Sequence, residues 1–106
     1  MENADSIEWN GDSEQRFQET VIAREVMGDY QGNKNLGQKL ASEAFAKIKQ
    51  LAGNLNLHPE RENSGGDRVA PLASGYIVIY RKVYYQDPSN NTQKVKLVIH
   101  DIRKSY

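Results

Sequence analysis

The sequence predicts a single α+β domain in which a helical hairpin covers one face of an antiparallel sheet. Two observations carry this prediction. A helical apolar stripe runs from Leu36 to Leu55, and β-branched and aromatic residues fill the stretch Gly75–Tyr85. The chain has 106 residues, of which 38% are hydrophobic, so it can build one core but not two. We therefore treat residues 1–106 as one domain.

A short strand is expected near the N-terminus. Ser6–Trp9 alternates polar and apolar residues, which predicts a strand with Ile7 and Trp9 facing the core. The pair Asn10-Gly11 follows directly and is typical of a turn. The first strand should therefore stop at this pair.

Two helices are predicted after the turn. Asp12 and Ser13 supply oxygens that can cap a helix over Ser13–Tyr30. Its apolar residues fall on two faces, one with Ile22, Ala23, Val26 and Tyr30 and the other with Phe17 and Val21. The second helix, Leu36–Leu55, has one clear stripe, made of Leu36, Leu40, Ala44, Ile48, Leu51 and Leu55 and widened by Ala41, Phe45 and Ala52. Because their connection is short and rich in Gly and Asn, the helices should form a hairpin.

Three strands are expected in the last third of the chain. Arg68–Leu72 predicts a short strand, and Gly75–Tyr85 is apolar in both alternating sets, as in a strand buried on both faces. Asp87–Asn91 predicts a turn, after which Lys94–Arg103 returns as the last strand. One face of that strand carries Val95, Leu97 and Ile99. The predicted order is β-α-α-β-β-β: an N-terminal strand, a helical hairpin and a three-stranded antiparallel sheet.

Composition excludes several classes of function. The chain has no cysteine, which removes disulfide scaffolds, thiolate metal sites and cysteine nucleophiles. No signal-like leader precedes the first strand, and the longest apolar run, Tyr76–Tyr80, is far too short to span a bilayer. We therefore expect a cytoplasmic protein without a membrane partner. His58 and His100 lack flanking ligands, so neither a metal site nor another cofactor is expected.

Charge is unevenly distributed although the formal net charge is zero. Residues 1–53 contain six Lys or Arg and nine Asp or Glu, a net of −3, whereas residues 54–106 contain eight and five, a net of +3. This asymmetry indicates a polyanion or an acidic partner for the C-terminal part. An ordinary strand face with solvated Lys and Arg side chains would give the same pattern.

Four segments resemble the RelE/ParE superfamily of bacterial toxins, and they occur in the order of that family. Ser6–Trp9 resembles its opening strand, and Ala46–Pro59 resembles the end of its second helix. Ser74–Arg81 resembles its central strand, where an aliphatic run lies between two tyrosines. Val98–Arg103 resembles its last strand, where ParE-type members carry His followed by Arg. The resemblance covers nearly the whole chain and implies the toxin of a type II toxin–antitoxin system, with roles in growth inhibition and plasmid stabilisation.

The resemblance also implies partners. A toxin of this kind binds a cognate antitoxin protein, in a toxin–antitoxin hetero-oligomer, and acts on DNA gyrase or on the ribosome and its mRNA. ParE-like members inhibit gyrase without chemistry of their own, RelE-like members are ribosome-dependent mRNA endonucleases, and a third alternative is a non-catalytic binding module of the same fold. The candidate partner-binding residues are Arg68, Arg81, Lys96 and Lys104.

Two positions favour gyrase inhibition over RNA cleavage. RelE-like nucleases carry basic residues on the strand before the central one and just after the first Tyr of the central strand. Arg68 can fill the first place, but Ala70 stands near the position of a second Lys and Ile77 replaces the central Arg. The neutral net charge also argues against RNA cleavage, because a grip on a phosphate backbone usually requires surplus Lys and Arg.

If the chain does cleave RNA, His100, Arg103 and Tyr106 are the candidate catalytic residues. Cleavage through the 2′-OH needs a general base, a cation that holds the charge on phosphorus, and an acid for the leaving oxygen. Histidine suits proton exchange near neutral pH. The alternative reading of His100 is a half-buried strand histidine bonded to a neighbour.

The face on which His100 lies depends on strand register. A turn centred near Ser89-Asn90 sets residue 81 opposite residue 98 and residue 79 opposite residue 100. In that register His100 shares a face with Arg81 and Lys96, turned away from the core. A slip of one residue would move His100 to the other face.

Overall fold

The computed structural model describes residues 1–105, and its elements follow the predicted order. They are β1 (Ser6–Trp9), α1 (Ser13–Tyr30), α2 (Leu36–Gly53), β2 (Arg68–Pro71), β3 (Tyr76–Gln86) and β4 (Gln93–Lys104). The bounds of α1 agree with the prediction, whereas α2 ends two residues early because Asn54 leaves the helical conformation, with φ −158° and ψ 87°. No helix in residues 1–105 has the length and apolar character needed to cross a membrane.

The sheet differs from the prediction in its number of strands. A three-stranded antiparallel sheet was expected, but β1 also joins, giving one mixed sheet in the order β1-β4-β3-β2. β1 runs parallel to β4, with Ser6 opposite Lys96 and Trp9 opposite Ile99, while the other two pairs are antiparallel. In this position β1 satisfies backbone groups that would otherwise form an open sheet edge at β4.

The core lies between the helical hairpin and one face of this sheet. From Leu40 onward the stripe of α2 is buried as predicted and packs with alternate residues of β3 and β4, whereas Leu36 is only half-buried. The buried residues include Leu40, Ala44, Ile48, Leu51, Tyr76, Val78, Tyr80, Leu97 and Ile99. Burial of each large apolar side chain contributes about 1.5–3 kcal/mol relative to exposure, so this stripe fixes the hairpin on the sheet.

α1 buries only one of its two apolar faces. Phe17 is 3% exposed and stacks on Trp9, with ring centroids 5.9 Å apart. On the other face, Ile22 is 64% and Val26 is 55% exposed. Phe45 of α2, predicted in the core, is 55% exposed and meets Phe17 only at an edge. The hairpin therefore leaves apolar surface in solvent.

Two expectations at the start of the domain are wrong. Ile7 is 47% exposed rather than buried, because it lies on the edge strand and only Trp9 reaches the aromatic contact with α1. Asp12 makes no capping hydrogen bond and pairs instead with Arg16 one turn later. The hydroxyl of Ser13 is also not a cap, since it donates to the carbonyl of Ile99 at 3.2 Å.

The β3–β4 pairing contains a bulge at His100. On the hairpin side of the bulge the register is as predicted, with Arg81 opposite Val98. Beyond it, Ile79 pairs with Asp101, so the expected pairing of residue 79 with residue 100 is wrong. His100 is the extra residue, which interrupts the ladder and changes the direction of its side chain.

Candidate functional site

His100 lies where the bulge of β4 meets the junction of β1 and α1. Its Nδ1 is 3.3 Å from the side-chain amide nitrogen, Nδ2, of Asn10, the residue that follows β1. The backbone N–H of Asn10 donates to the carbonyl of Ile99, which holds the same junction against β4. His100 is half-buried and bonded to a neighbour, which matches the structural alternative for this residue.

The contact with the side chain of Asn10 favours one tautomer of the imidazole. With the side-chain amide nitrogen of Asn10 facing Nδ1 of His100, the hydrogen bond forms when the neutral ring carries its hydrogen on Nε2. Nε2 is then a donor. To act as a general base through Nε2, the ring would have to change tautomer and lose the bond from Asn10. The arrangement positions a hydrogen-bond donor better than a base.

The cations near His100 are held by carboxylates. Arg16 pairs with Asp12, and its Nη2 lies 3.9 Å from Asp101 and 3.5 Å from the carbonyl of His100. Arg103 is 60% exposed and lies 3.9 Å from the same Asp101 carboxylate group. This cluster of two arginines and two aspartates has no surplus of positive charge, so it provides little attraction for a phosphate.

Arg81 is on the sheet face that no helix covers, as predicted, but it is not available to a partner as a free cation. Its Nε is 2.5 Å from Asp67, and its Nη2 donates to the carbonyl of Ser64 at 2.9 Å. Both partners belong to the loop that precedes β2. Arg81 therefore fastens this loop to β3.

Arg68 lies on the opposite face of the sheet from Arg81. It is 8% exposed, its guanidinium donates to the carbonyl of His58, and its Nη2 is 3.6 Å from Glu60. A buried side chain bonded within the chain is poorly placed for a partner. Of the predicted partner-binding residues, Arg68 and Arg81 thus do not meet in one site.

Lys96 and Lys104, the other two predicted partner-binding residues, are also apart. Lys96 shares the uncovered face with Arg81, binds Glu8 at 3.2 Å, and lies 5.5 Å from the centroid of the Tyr85 ring. Lys104 is opposite Tyr76 at the far end of β4 and lines a cleft beside α1. The candidate catalytic residue Tyr106 lies outside the described residues.

Ion pairs inside the chain account for much of the charge asymmetry. The N-terminal carboxylates of Glu2 and Glu8 bind lysines of β3 and β4, and Lys94 binds Asp87 at 2.9 Å. The two glutamate pairs join the acidic half to the basic half, whereas Asp87 and Lys94 both belong to the basic half. The surplus in each half is thus partly neutralised by the fold and does not form one basic patch.

Glu2 forms a network that the sequence did not suggest. Its carboxylate accepts from the Tyr84 hydroxyl at 2.7 Å and from Lys82 Nζ at 3.0 Å, and Lys82 also donates to Asn56 at 2.7 Å. The bond from Tyr84, followed by that from Lys82, lowers the pKa of Glu2, and the bond to Glu2 raises the pKa of Lys82. No local pattern marks such partners, which are about 80 residues apart.

Three polar atoms near β2 and α2 are buried without a hydrogen bond: Nε of Arg68, Nε2 of His58 and the hydroxyl of Tyr80. Burial, followed by the charge of Lys47, lowers the pKa of His58, and burial raises the pKa of Tyr80. His58 was interpreted as a loop residue, but it is half-buried in contact with this cluster. Its position next to a proline gave no signal of burial.

An apolar groove lies between the two helices. Phe17, Val21, Ile22, Ala41 and Phe45 line it, and its volume is about 400 Å³. Ile22 and Phe45 are more than half exposed. Exposed apolar surface of this kind typically marks a contact with another molecule.

Comparison with known proteins adds no assignment. No protein-family model, curated protein or solved structure matches this chain. Within residues 1–105, no three His, Asp or Glu side chains converge where they could hold a metal ion. The features described above that could serve a function are the apolar groove between the helices and the hydrogen-bonded His100.

Proposed function

We propose that this protein is the toxin of a bacterial type II toxin–antitoxin pair of the RelE/ParE superfamily, and that it inhibits growth by binding DNA gyrase. The order β-α-α-β-β-β, with a helical hairpin on one sheet face, is the order that the resemblance implies. The four resembling segments fall on or against the elements expected for them, namely β1, α2, β3 and β4. The cognate antitoxin is its proposed partner in a hetero-oligomer.

The pairing of the basic residues with carboxylates is the observation that supports inhibition by contact rather than RNA cleavage. Arg81 is bound by Asp67, Arg68 by Glu60, and Lys96 by Glu8. An endonuclease must offer several cations to one phosphate and leave a base free to take a proton. Here each of these cations has a carboxylate, and Nδ1 of His100 accepts from Asn10.

A RelE-like endonuclease remains the second candidate, for one specific reason. Arg103 is 60% exposed and lies on the same strand end as His100. Ile77 is directly opposite Arg103, so an apolar side chain stands where the nucleases have a second basic residue. The third candidate, a binding module without toxicity, is supported by the groove between the helices.

Controlled expression in bacteria tests the proposal. Growth should stop when the chain is induced alone and resume when the antitoxin from the neighbouring gene is co-expressed. Purified protein should make gyrase accumulate double-strand breaks in plasmid DNA, and mRNA on translating ribosomes should remain intact. Unimpaired growth with abundant folded protein would favour the binding module. Cuts in the ribosomal A site would favour the endonuclease.

A further inference from the structure

A cleft of about 400 Å³ lies between the second half of α1 and the end of the sheet. Its lining includes Thr20, Arg24, Met27, Leu36, Tyr76 and Lys104. The cleft is separate from the groove between the helices and from the bulge at His100. Small-molecule sites commonly have volumes of 300–1,000 Å³, so about 400 Å³ is enough for a small ligand.

Arg24 is the unusual residue of this cleft. Its guanidinium carbon lies 5.3 Å from the centroid of Tyr76, and its Nε is buried without a hydrogen-bond partner. Nothing in residues 1–105 forms a hydrogen bond or an ion pair with it. By contrast, Arg68 and Arg81 each bind both a carboxylate and a backbone carbonyl.

A half-buried charge without a counter-ion is costly, and an anion in the cleft would offset that cost. The guanidinium of Arg24 lies over the Tyr76 ring, and a guanidinium prefers planar, bidentate oxyanions. Lys104 lines the same cleft. The recognition element is therefore a carboxylate-like group.

The other side chains that line the cleft indicate the chemical character of the rest of the ligand. Ala23, Met27 and Leu36 present apolar side chains, so an aliphatic or aromatic body fits beside the anionic group. We propose that this cleft binds a small organic acid, whose carboxylate pairs with Arg24 and whose apolar body lies against Met27 and Leu36. This site does not depend on the toxin proposal and goes beyond it.

The test is a titration of the isotope-labelled full chain followed by two-dimensional amide NMR, with hexanoate as the probe. Hexanoate should shift resonances of α1 and the start of β3 saturably, with a millimolar or tighter dissociation constant. Hexanol, which has the same body without charge, and inorganic phosphate, which has charge without the body, should each bind at least tenfold more weakly. Equal binding of hexanol or phosphate would overturn the assignment.

Three variants locate the site. Arg24→Gln should weaken hexanoate binding at least tenfold, whereas Arg61→Gln, which removes an exposed loop cation, should leave it within twofold. Met27→Glu places a carboxylate beside Arg24 at a position that is already 59% exposed, so it should block hexanoate without unfolding the chain. The spectra themselves report whether each variant is folded. Unchanged binding in Arg24→Gln or in Met27→Glu would overturn the proposal.

Discussion

The side-chain amide nitrogen of Asn10 lies 3.3 Å from Nδ1 of His100 and so connects the end of β1 with the bulge of β4. Neighbours in space, the two residues are 90 positions apart in sequence. The bond fixes the ring and directs its donor, Nε2, away from Asn10. This relationship makes His100 a positioned contact residue in the proposed mechanism.

His100→Ala should therefore leave toxicity within about tenfold of wild type, because a typical interface contact is worth about 1–2 kcal/mol. Growth arrest under graded induction measures the effect, and Arg103→Ala provides the comparison on the same strand. The same variants should show no change in toeprints of translating ribosomes, since no cut is expected. A-site cuts in the wild type that vanish in either variant would make the protein a ribonuclease.

Gly37 should not tolerate a side chain. A Cβ at this position would overlap with the carbonyl oxygen of Val21, at the contact between α1 and α2. Gly37→Ala should cost about 1–3 kcal/mol of unfolding free energy through overpacking, despite the better helix propensity of alanine. Gly53→Ala is the matched control. Its Cβ meets nothing within 4 Å, so denaturant unfolding should show unchanged or slightly higher stability. Equal effects of the two substitutions would contradict the close approach of the helices.

Tyr80→Phe should not destabilise the fold. The ring is fully buried, and its hydroxyl lies near the backbone of His58 without completing a hydrogen bond. Removal of an unpaired buried hydroxyl is expected to be neutral or to raise the unfolding free energy by up to about 1 kcal/mol. Thermal unfolding compares this variant with Tyr80→Leu, which also loses ring packing and should be less stable. A large loss in Tyr80→Phe would reveal a bond that the hydroxyl makes.

Asp87 should titrate far below an ordinary aspartate. Hydrogen bonds from Ser89 and the nearby Lys94 lower its pKa to about 2 from 3.8. Because the folded-state pKa is depressed, the stabilisation is complete above pH 3.8 and is lost as the pH falls toward 2. Carboxyl-carbon NMR should show this value, and Ser89→Ala should raise it toward 3.8. Thr92→Ala, in the same turn but bonded to Asn90, should leave the pKa of Asp87 unchanged.

The sequence predicts well whatever depends on local periodicity. The stripe of α2 identified the core, and the turn near Ser89-Asn90 set the register that brings Arg81 opposite Val98. Prediction failed where the structure depends on contacts between residues that are distant in sequence. The parallel pairing of β1 and the bulge at His100 depend on partners about 90 positions away, which leave no periodic signal.

The candidate site was predicted less well than the fold, because residue type does not reveal the counter-ion. Arg68 and Arg81 were interpreted as partner-binding residues on charge alone, yet Glu60 and Asp67 hold them within the chain. Nothing in the sequence of the two-faced helix α1 marks Arg24, although its Nε is buried without a hydrogen bond. Only packing distinguishes these cases.

The parallel pairing of β1 with β4 also constrains how the protein folds during its synthesis. Residues 6–9 are synthesised about 90 positions before their partners, residues 96–99. The helical hairpin can form before β4 is complete, whereas the sheet can add neither β4 nor β1 until then. Such a long loop closure slows folding, since its entropy is lost before the contacts form. A nascent chain therefore stays incomplete until translation has passed residue 99, and the junction that holds His100 forms only after that.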